Sequence, residues 1–143
     1  MKLALKKSLT RWVKVGKENE EFYIDYPSIE QEQELDTIKN GDKYSGVDKA
    51  IKHAQLYLKY VIKDWKGIND ENGHPIKCEL TEVLMDGKTN YELEYNLWWS
   101  LVKDSNIMIG LFVPFWNELE PTESDKKKLS SQDSSSEKVN SQE

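Results

Sequence analysis

Apolar side chains recur at steps of three and four residues in the middle of the chain, between Val47 and Trp65. Such steps place the apolar groups on one side of a helix with 3.6 residues per turn. The members of the series are Val47, Ala50, Ile51, Ala54, Leu58, Val61, Ile62 and Trp65. The pattern therefore predicts an amphipathic helix over 47–65, whose opposite, solvated side carries Lys49, Lys52, Lys59 and Lys63.

The N-terminal part shows the pattern of strands instead. β-Branched and aromatic residues cluster between Leu9 and Tyr26, on both sides of a polar break at residues 16–19. Two short apolar runs around such a break are typical of a β-hairpin. On the second predicted strand Phe22, Ile24 and Tyr26 share one face, because side chains alternate along a strand.

A mostly charged helix is predicted next. Pro27 ends the second strand, and Ser28 with Gln31 three residues later is a capping-box pattern. The helix is expected from Ile29 to about Lys39. Three of its residues are expected to face the core: Ile29, Leu35 and Ile38.

The second half of the chain is predicted to be helical after a turn at residues 69–75, which is rich in Asn, Asp, Gly and Pro. A short helix is expected from Glu79 to Met85. Thr89 with Glu92 is a second capping box, and it predicts a helix that directs Tyr91, Tyr95, Trp98, Leu101 and Val102 inward. The apolar run 107–116 follows, which Pro114 should kink or terminate.

The composition changes abruptly after Leu119. Residues 121–143 are dominated by Ser and charged residues, so burial cannot offset the entropy of ordering them. We expect one folded domain over 1–120 and a disordered polar tail over 121–143. The predicted fold class is α+β and mostly α-helical: an N-terminal β-hairpin, a compact bundle of four to five helices and the disordered C-terminal tail.

Charge and cysteine content narrow the classes of function. A net charge of −6 and a pI of about 5.1 argue against a general nucleic-acid-binding protein. Cys78 is the single cysteine, so no intramolecular disulfide can form. No segment has the length and hydropathy of a membrane span or the pattern of a signal peptide. These features predict a cytoplasmic protein without nucleic-acid or membrane partners.

The residues that could carry chemistry are few. Outside the carboxylates only His53, His74 and Cys78 could do so, and we expect an exposed surface position for His53. His74 and Cys78 are four residues apart, but zinc sites need three or four ligands. A calcium-loop pattern that includes Asp70 has Ile68 at its first ligand position, where no oxygen is available. The expectation is a protein that is not an enzyme and has no cofactor and no metal.

Aromatic residues mark the candidate protein-binding site. Aromatic anchors beside an apolar strip are typical of protein-binding grooves. The alternative is that some of these rings form the core of a small domain. The candidate residues are Trp98, Trp99, Phe112, Phe115 and Trp116.

The order of these features resembles the tail assembly chaperones of long-tailed bacteriophages and prophages. A β-containing N-terminus leads into FYIDYPSIEQEQELDTI, and the long helix ends in YLKYVIKDWKGINDENGHPIKCELTEVL. The most telling block is VIKDWKG at 61–67, followed by an Asn-Gly turn, a proline and an expected short helix. The resemblance extends from about residue 20 to about residue 118.

The resemblance implies a non-catalytic role in virion morphogenesis, in the cytoplasm of the host cell. Such a protein binds the tape-measure protein, keeps its apolar helices in solution and assists tail-tube assembly, so the tail-tube protein is a further candidate partner. Self-association into a homo-oligomer is left open. Two other readings also stay open: a structural component such as a head–tail connector or neck protein, and a small acidic inhibitor or regulatory protein that binds a host enzyme.

Overall fold

The computed structural model describes residues 11–16 and 19–120. Within these residues the chain forms an α+β fold of five strands and four helices. In chain order they are β1 (Arg11–Val15), β2 (Glu20–Ile24), α1 (Ile29–Asn40), α2 (Gly46–Val61), β3 (Ile62–Lys66), β4 (Leu80–Met85), β5 (Lys88–Leu93), α3 (Tyr95–Val102) and α4 (Ser105–Leu119). The tail predicted for 121–143 lies outside the described residues.

The predicted N-terminal hairpin is confirmed. β1 pairs with β2 in antiparallel register, and β2 is the central strand of a three-stranded sheet ordered β1-β2-β3. Phe22 and Ile24 are buried on the face toward the helices. The ring of Phe22 meets Trp65 of β3 at 6.0 Å and Phe115 of α4 at 5.4 Å, so α4 packs directly on the sheet.

The capping box at the start of α1 is also confirmed, because Ser28 Oγ accepts from the amide of Gln31 and the Gln31 side chain accepts from the amide of Ser28. The expected inward position of Ile29 is wrong, since its side chain is exposed. Gln31 is buried instead, and its Nε2 donates to the backbone oxygen of Tyr91 at 2.8 Å. A polar side chain takes the apolar position because both ends of its amide have partners.

The long amphipathic helix forms, but it ends at Val61 rather than at Trp65. Residues 62–66 become β3 because the free edge of β2 offers them a pairing partner. Ile62 and Trp65 are still buried, and Trp65 Nε1 donates to the backbone oxygen of Ile76 at 2.6 Å. The tertiary pairing thus overrides a helical period that continues through these residues.

The short helix expected over 79–85 is wrong, and so is the short helix implied by the resemblance at this place. These residues contribute β4, which pairs with β5 in a two-residue hairpin. Asp86 and Gly87 both have positive φ, of 51° and 75°, as a type I′ turn requires. The Thr89 capping box is not used either, because α3 begins at Tyr95 with Glu94 as its cap.

The last helix, α4, runs through Pro114 to Leu119, so the proline does not terminate it. Its inner side contributes Met108, Leu111, Phe115 and Leu119 to the core. This core lies between α2, the three-stranded sheet and α4, and it also includes Leu58, Val61, Leu93 and Val102. α1 covers a further side of α2, where the Tyr60 hydroxyl donates to the Glu34 carboxylate.

Candidate protein-binding surface

An aromatic ridge runs along α3 and consists of Tyr95, Trp98 and Trp99. The ring centroids of Tyr95 and Trp98 are 5.6 Å apart, and those of Trp98 and Trp99 are 6.1 Å apart. Tyr95 is 57% exposed and Trp99 is 45% exposed. The inward position expected for Tyr95 is therefore wrong, because α3 starts later in the chain than the capping-box pattern predicted.

Trp98 is the fixed member of this ridge. Its Nε1 donates to the backbone oxygen of Gln55 on α2 at 2.7 Å. The Lys59 ammonium lies 4.8 Å from the centre of the Trp98 ring and also forms an ion pair with Glu92 at 3.0 Å. The hydrogen bond and the cation–π contact hold the indole in one orientation, while the ring stays half-exposed.

Both sides of α4 are apolar, although only one of them is buried. Its inner side faces the core, and we call the opposite side the outer stripe. At about 100° per residue the two sides lie roughly opposite each other on the helix. Ile109 is 53% exposed and Val113 is 48% exposed. The outer stripe consists of Asn106, Ile109, Gly110, Val113, Pro114 and Asn117.

The segment that carries both surfaces is almost free of charge. From Tyr95 to Asn117 the only Asp, Glu, Lys or Arg residues are Lys103 and Asp104, which lie between the two helices. Asp104 caps α4 by accepting hydrogen bonds from two backbone amides. A solvated helix normally carries charged residues on its outer face, so an uncharged outer face is a candidate protein-binding surface.

A second aromatic cluster joins α2 to α4 beside the core. His53 and Tyr57 of α2 meet Phe112 and Trp116 of α4, with ring centroids 5.3–6.2 Å apart across the two helices. The Tyr57 hydroxyl is buried without a hydrogen-bond partner among the described residues, and burial raises its pKa. This cluster anchors α4 on α2, because its rings face each other rather than the solvent.

His53 does not have the exposed surface position expected from the sequence. It is half-buried against aromatic rings. Burial lowers the pKa of its imidazole; the nearby Lys39 lowers it further, and Asp36 acts in the opposite direction. The neutral imidazole is therefore the form that fits this packing.

The five predicted site residues separate into three groups. Trp99 is exposed, and Phe115 is fully buried in the core, where it cannot contact a partner. Trp98, Phe112 and Trp116 are half-buried. The prediction missed the exposed Tyr95 on α3 and the outer stripe on α4, although the lack of charge over 95–102 and 105–117 is a signal that could have indicated both.

The groups considered for chemistry do not form a site. Cys78 is half-buried, and burial, with smaller effects from Asp64 and Glu79, raises the pKa of its thiol to about 12. His74 Nδ1 lies 3.7 Å from an Asp70 oxygen in an exposed turn. Among the residues that the structure describes, no three His, Cys, Asp or Glu side chains could hold a metal ion together. No helix in this part of the chain is long and apolar enough to cross a membrane.

Comparisons with known proteins return no match to a family model, a curated protein or a solved structure. The residues and contacts of this chain are therefore what supports a proposed function.

Proposed function

We propose that this protein is a non-catalytic assembly chaperone of a phage or prophage tail, which binds apolar helical segments of the tape-measure protein and assists tail-tube assembly. The observation that carries the proposal is the aromatic ridge of α3, where Tyr95 and Trp99 are exposed beside a fixed Trp98. The family resemblance supplies the client, and the ridge supplies the means of holding it.

The ridge has the physical properties of a binding hot spot. Trp and Tyr provide large contact areas and have few rotatable bonds, so little entropy is lost when they are covered. Trp98 is already held by Gln55 and Lys59, which reduces that loss further. Because α3 contains no charged residue, the apolar stripe of an amphipathic client helix could lie against it without burying an unpaired charge.

The rest of the molecule supplies solubility. The chain carries a net charge of −6, and α1 alone contributes Glu30, Glu32, Glu34 and Asp36. A net charge well away from zero opposes aggregation. A client whose apolar helices are covered at the ridge would therefore be carried in a complex that repels other complexes.

The test is co-expression with the tape-measure protein encoded in the same genome. We expect this chain to bring an otherwise insoluble client into solution and to co-purify with it. Trp99→Ala and Tyr95→Ala should each weaken binding, by about 30-fold if the side chain contributes a hot-spot value of about 2 kcal/mol. Leu84→Ala is the matched control, because Leu84 is an exposed apolar residue on β4, away from the ridge.

Wild-type binding by both ridge variants would remove the ridge from the client site. A client that stays insoluble with the wild-type chain would contradict the chaperone function itself. If the chain instead formed a monodisperse ring that ignores the client, the structural-component reading would replace this proposal.

A further inference from the structure

One edge of the β4-β5 hairpin has no strand beside it among the described residues, because β4 pairs with β5 on one side only. Met85 and Lys88 flank the two-residue turn and exchange hydrogen bonds with each other, so alternate residues of β4, counted back from Met85, bond to β5. The residues between them direct their backbone N–H and C=O groups away from β5. These residues are Leu80, Glu82 and Leu84, and all three are exposed.

Contacts at the base and at the opposite edge of the hairpin agree with this alternation. The Glu94 amide donates to the backbone oxygen of Glu79 at 2.9 Å, so the alternation continues beyond the start of β4. On β5 the backbone oxygen of Tyr91 points away from β4 and accepts from Gln31 of α1 at 2.8 Å. The β5 edge is therefore in contact with α1, whereas the β4 edge faces the solvent.

β4 lacks the features that usually prevent an edge strand from pairing with another chain. Basic residues, proline and bulges at an edge oppose the addition of a strand. β4 has the sequence LTEVLM, without Lys, Arg or Pro, and its register with β5 is continuous from end to end. The other strands that have an edge carry basic residues: Arg11 and Lys14 in β1, Lys63 and Lys66 in β3, and Lys88 in β5.

The exposed face of the hairpin combines apolar side chains with one carboxylate. Leu80, Leu84 and Tyr91 are large apolar residues exposed on this face, and Leu84 is 73% exposed. The Tyr91 hydroxyl donates to the Glu82 carboxylate at 3.2 Å. Side chains alternate between the two faces of a sheet. A strand added to this edge would therefore place every second side chain beside Leu80, Glu82 and Leu84.

The charge along the free edge is acidic. Glu79, Glu82 and Asp86 lie at the start, the middle and the end of β4. Lys77 precedes them, and Lys88, beyond the turn, lies 3.6 Å from Glu30 of α1. Two copies of this edge would bring six carboxylates together, and like charges on neighbouring strands are destabilising. The charge therefore disfavours pairing with a second copy and favours a basic strand.

We propose that the free edge of β4 binds an extended basic segment of another protein, which joins the β4-β5 sheet as a third, antiparallel strand. On the exposed face its side chains are apolar, basic and apolar, opposite Leu84, Glu82 and Leu80. Basic residues at its two ends lie near Glu79 and Asp86. The segment is a strand, unlike the helical client proposed for the aromatic ridge, so this site is independent of the proposed function.

The test is a titration of the isotope-labelled full chain, followed by two-dimensional NMR, with the capped peptide Lys-Val-Thr-Lys-Thr-Val-Lys. In the proposed register its central Lys lies opposite Glu82 and its two Val residues lie opposite Leu80 and Leu84. The amide signals of these three residues of β4 should shift most, because their N–H groups gain acceptors. One short strand covers much less than a standard interface, so we expect a dissociation constant of about 10 μM to about 1 mM.

Two control peptides separate strand pairing from general attraction of a basic peptide. The first is N-methylated at both Val residues and the central Lys, so it keeps the charge but cannot donate to β4. The second has Glu in place of each Lys. Neither should bind. Binding of the N-methylated peptide as strongly as the parent peptide would overturn the proposal, because backbone pairing would not be what holds the segment.

Variants of the chain test the same edge. Glu82→Lys should weaken binding about tenfold or more, because it places a Lys opposite the central Lys of the peptide. Glu71→Lys makes the same change of charge at an exposed residue of the turn 69–75, and it should bind like the wild type. Trp99→Ala should also bind the peptide normally, because the ridge takes no part.

The peptide controls use the wild-type chain and decide the question even if Glu82→Lys does not fold. The absence of shifts at about 5 mM peptide would overturn the proposal. So would shifts that are largest in β1 or on the ridge, or wild-type binding by a folded Glu82→Lys chain. Concentration-dependent shifts at β4 without peptide would overturn it as well, because the occupant would then be a second copy of this chain.

Discussion

The solvent-facing sides of two surface helices, α1 and α4, differ in composition. α1 has 12 residues, buries little besides Leu35 and Gln31, and fills its outer side with acidic residues. α4 has 15 residues, buries a full apolar side and still presents Ile109 and Val113 to the solvent. The inner side of a helix packs on the core of its own domain. The charged outer side of α1 is typical of a side that faces water, whereas the uncharged outer side of α4 is a candidate protein-binding surface.

The largest expected effect separates the two sides of α4. Phe115→Ala removes a buried ring that packs on Phe22, and truncation of a buried Phe costs about 3–5 kcal/mol of unfolding free energy. Val113→Ala should change that free energy by less than about 0.5 kcal/mol in the monomer. Urea denaturation at low protein concentration measures both. Equal losses would mean that the outer stripe is packed within the monomer, which would remove the contrast with α1.

A second prediction concerns the polar contact that fixes α1. Gln31→Leu keeps the size of the side chain but leaves the Tyr91 carbonyl and the Ser28 amide without this partner. Leaving buried polar groups unpaired costs about 1–3 kcal/mol. Gln33→Leu, at an exposed position of the same helix, is the control and should be near neutral. If both variants lost the same stability, the amide contacts of Gln31 would not be what holds α1.

A smaller effect is expected within the aromatic ridge. Trp98→Phe keeps an aromatic ring but removes the hydrogen bond to Gln55, at a cost of about 1 kcal/mol. Trp99→Phe should lower the unfolding free energy by less, because the hydrogen bond to Gln55 and the contact with Lys59 are made by Trp98 and not by Trp99. Thermal unfolding of the two variants gives the order. The reverse order would mean that Trp99, not Trp98, is the structural member of the ridge.

The smallest effect is a pH dependence at the contact between α2 and α4. Burial lowers the pKa of His53 in the folded protein, so below the unfolded value of about 6.5 the unfolded chain binds more protons. The contribution of His53 to stability is therefore complete above about pH 6.5 and is lost as the pH falls through its lower folded pKa. The unfolding free energy of wild type and His53→Gln should diverge with pH in this window. Parallel curves would contradict the lowered pKa.

Local patterns in the sequence predict the elements that depend on near neighbours. The steps of three and four identify α2, and Ser28 with Gln31 identifies the start of α1, because an amphipathic side and a cap are settled within a few residues. The N-terminal hairpin is predictable for the same reason.

The wrong predictions fall where a partner distant in the sequence determines the secondary structure. Ile62 and Trp65 continue the helical period of α2, and only the edge of β2 turns them into a strand. The Asp86-Gly87 pair is a strong hairpin signal, but the capping-box pattern at Thr89 favours a helix over the same residues. The local sequence does not show which of these two signals prevails, because the hairpin is stabilised by a contact with α1. That contact is the hydrogen bond from Gln31 to the backbone oxygen of Tyr91.

The candidate site is predictable only in part for the same reason. The sequence identifies an aromatic region, but the burial of Phe115 and the exposure of Trp99 depend on how each helix is rotated against the core. Ile109 and Val113 look like core residues in the sequence. Only the lack of charge over residues 105–117 indicates that one apolar side of α4 does not pack on the core.

In the proposed function the client binds the aromatic ridge of α3, through the exposed Tyr95 and Trp99. Light scattering on the purified complex with the tape-measure protein is the most direct test, because the mass of the complex shows whether the client is bound. The wild-type chain and the Leu84→Ala control should both carry the client, whereas Trp99→Ala should lose it while its monomer stays folded. Client binding by Trp99→Ala at the wild-type level would contradict the proposed site.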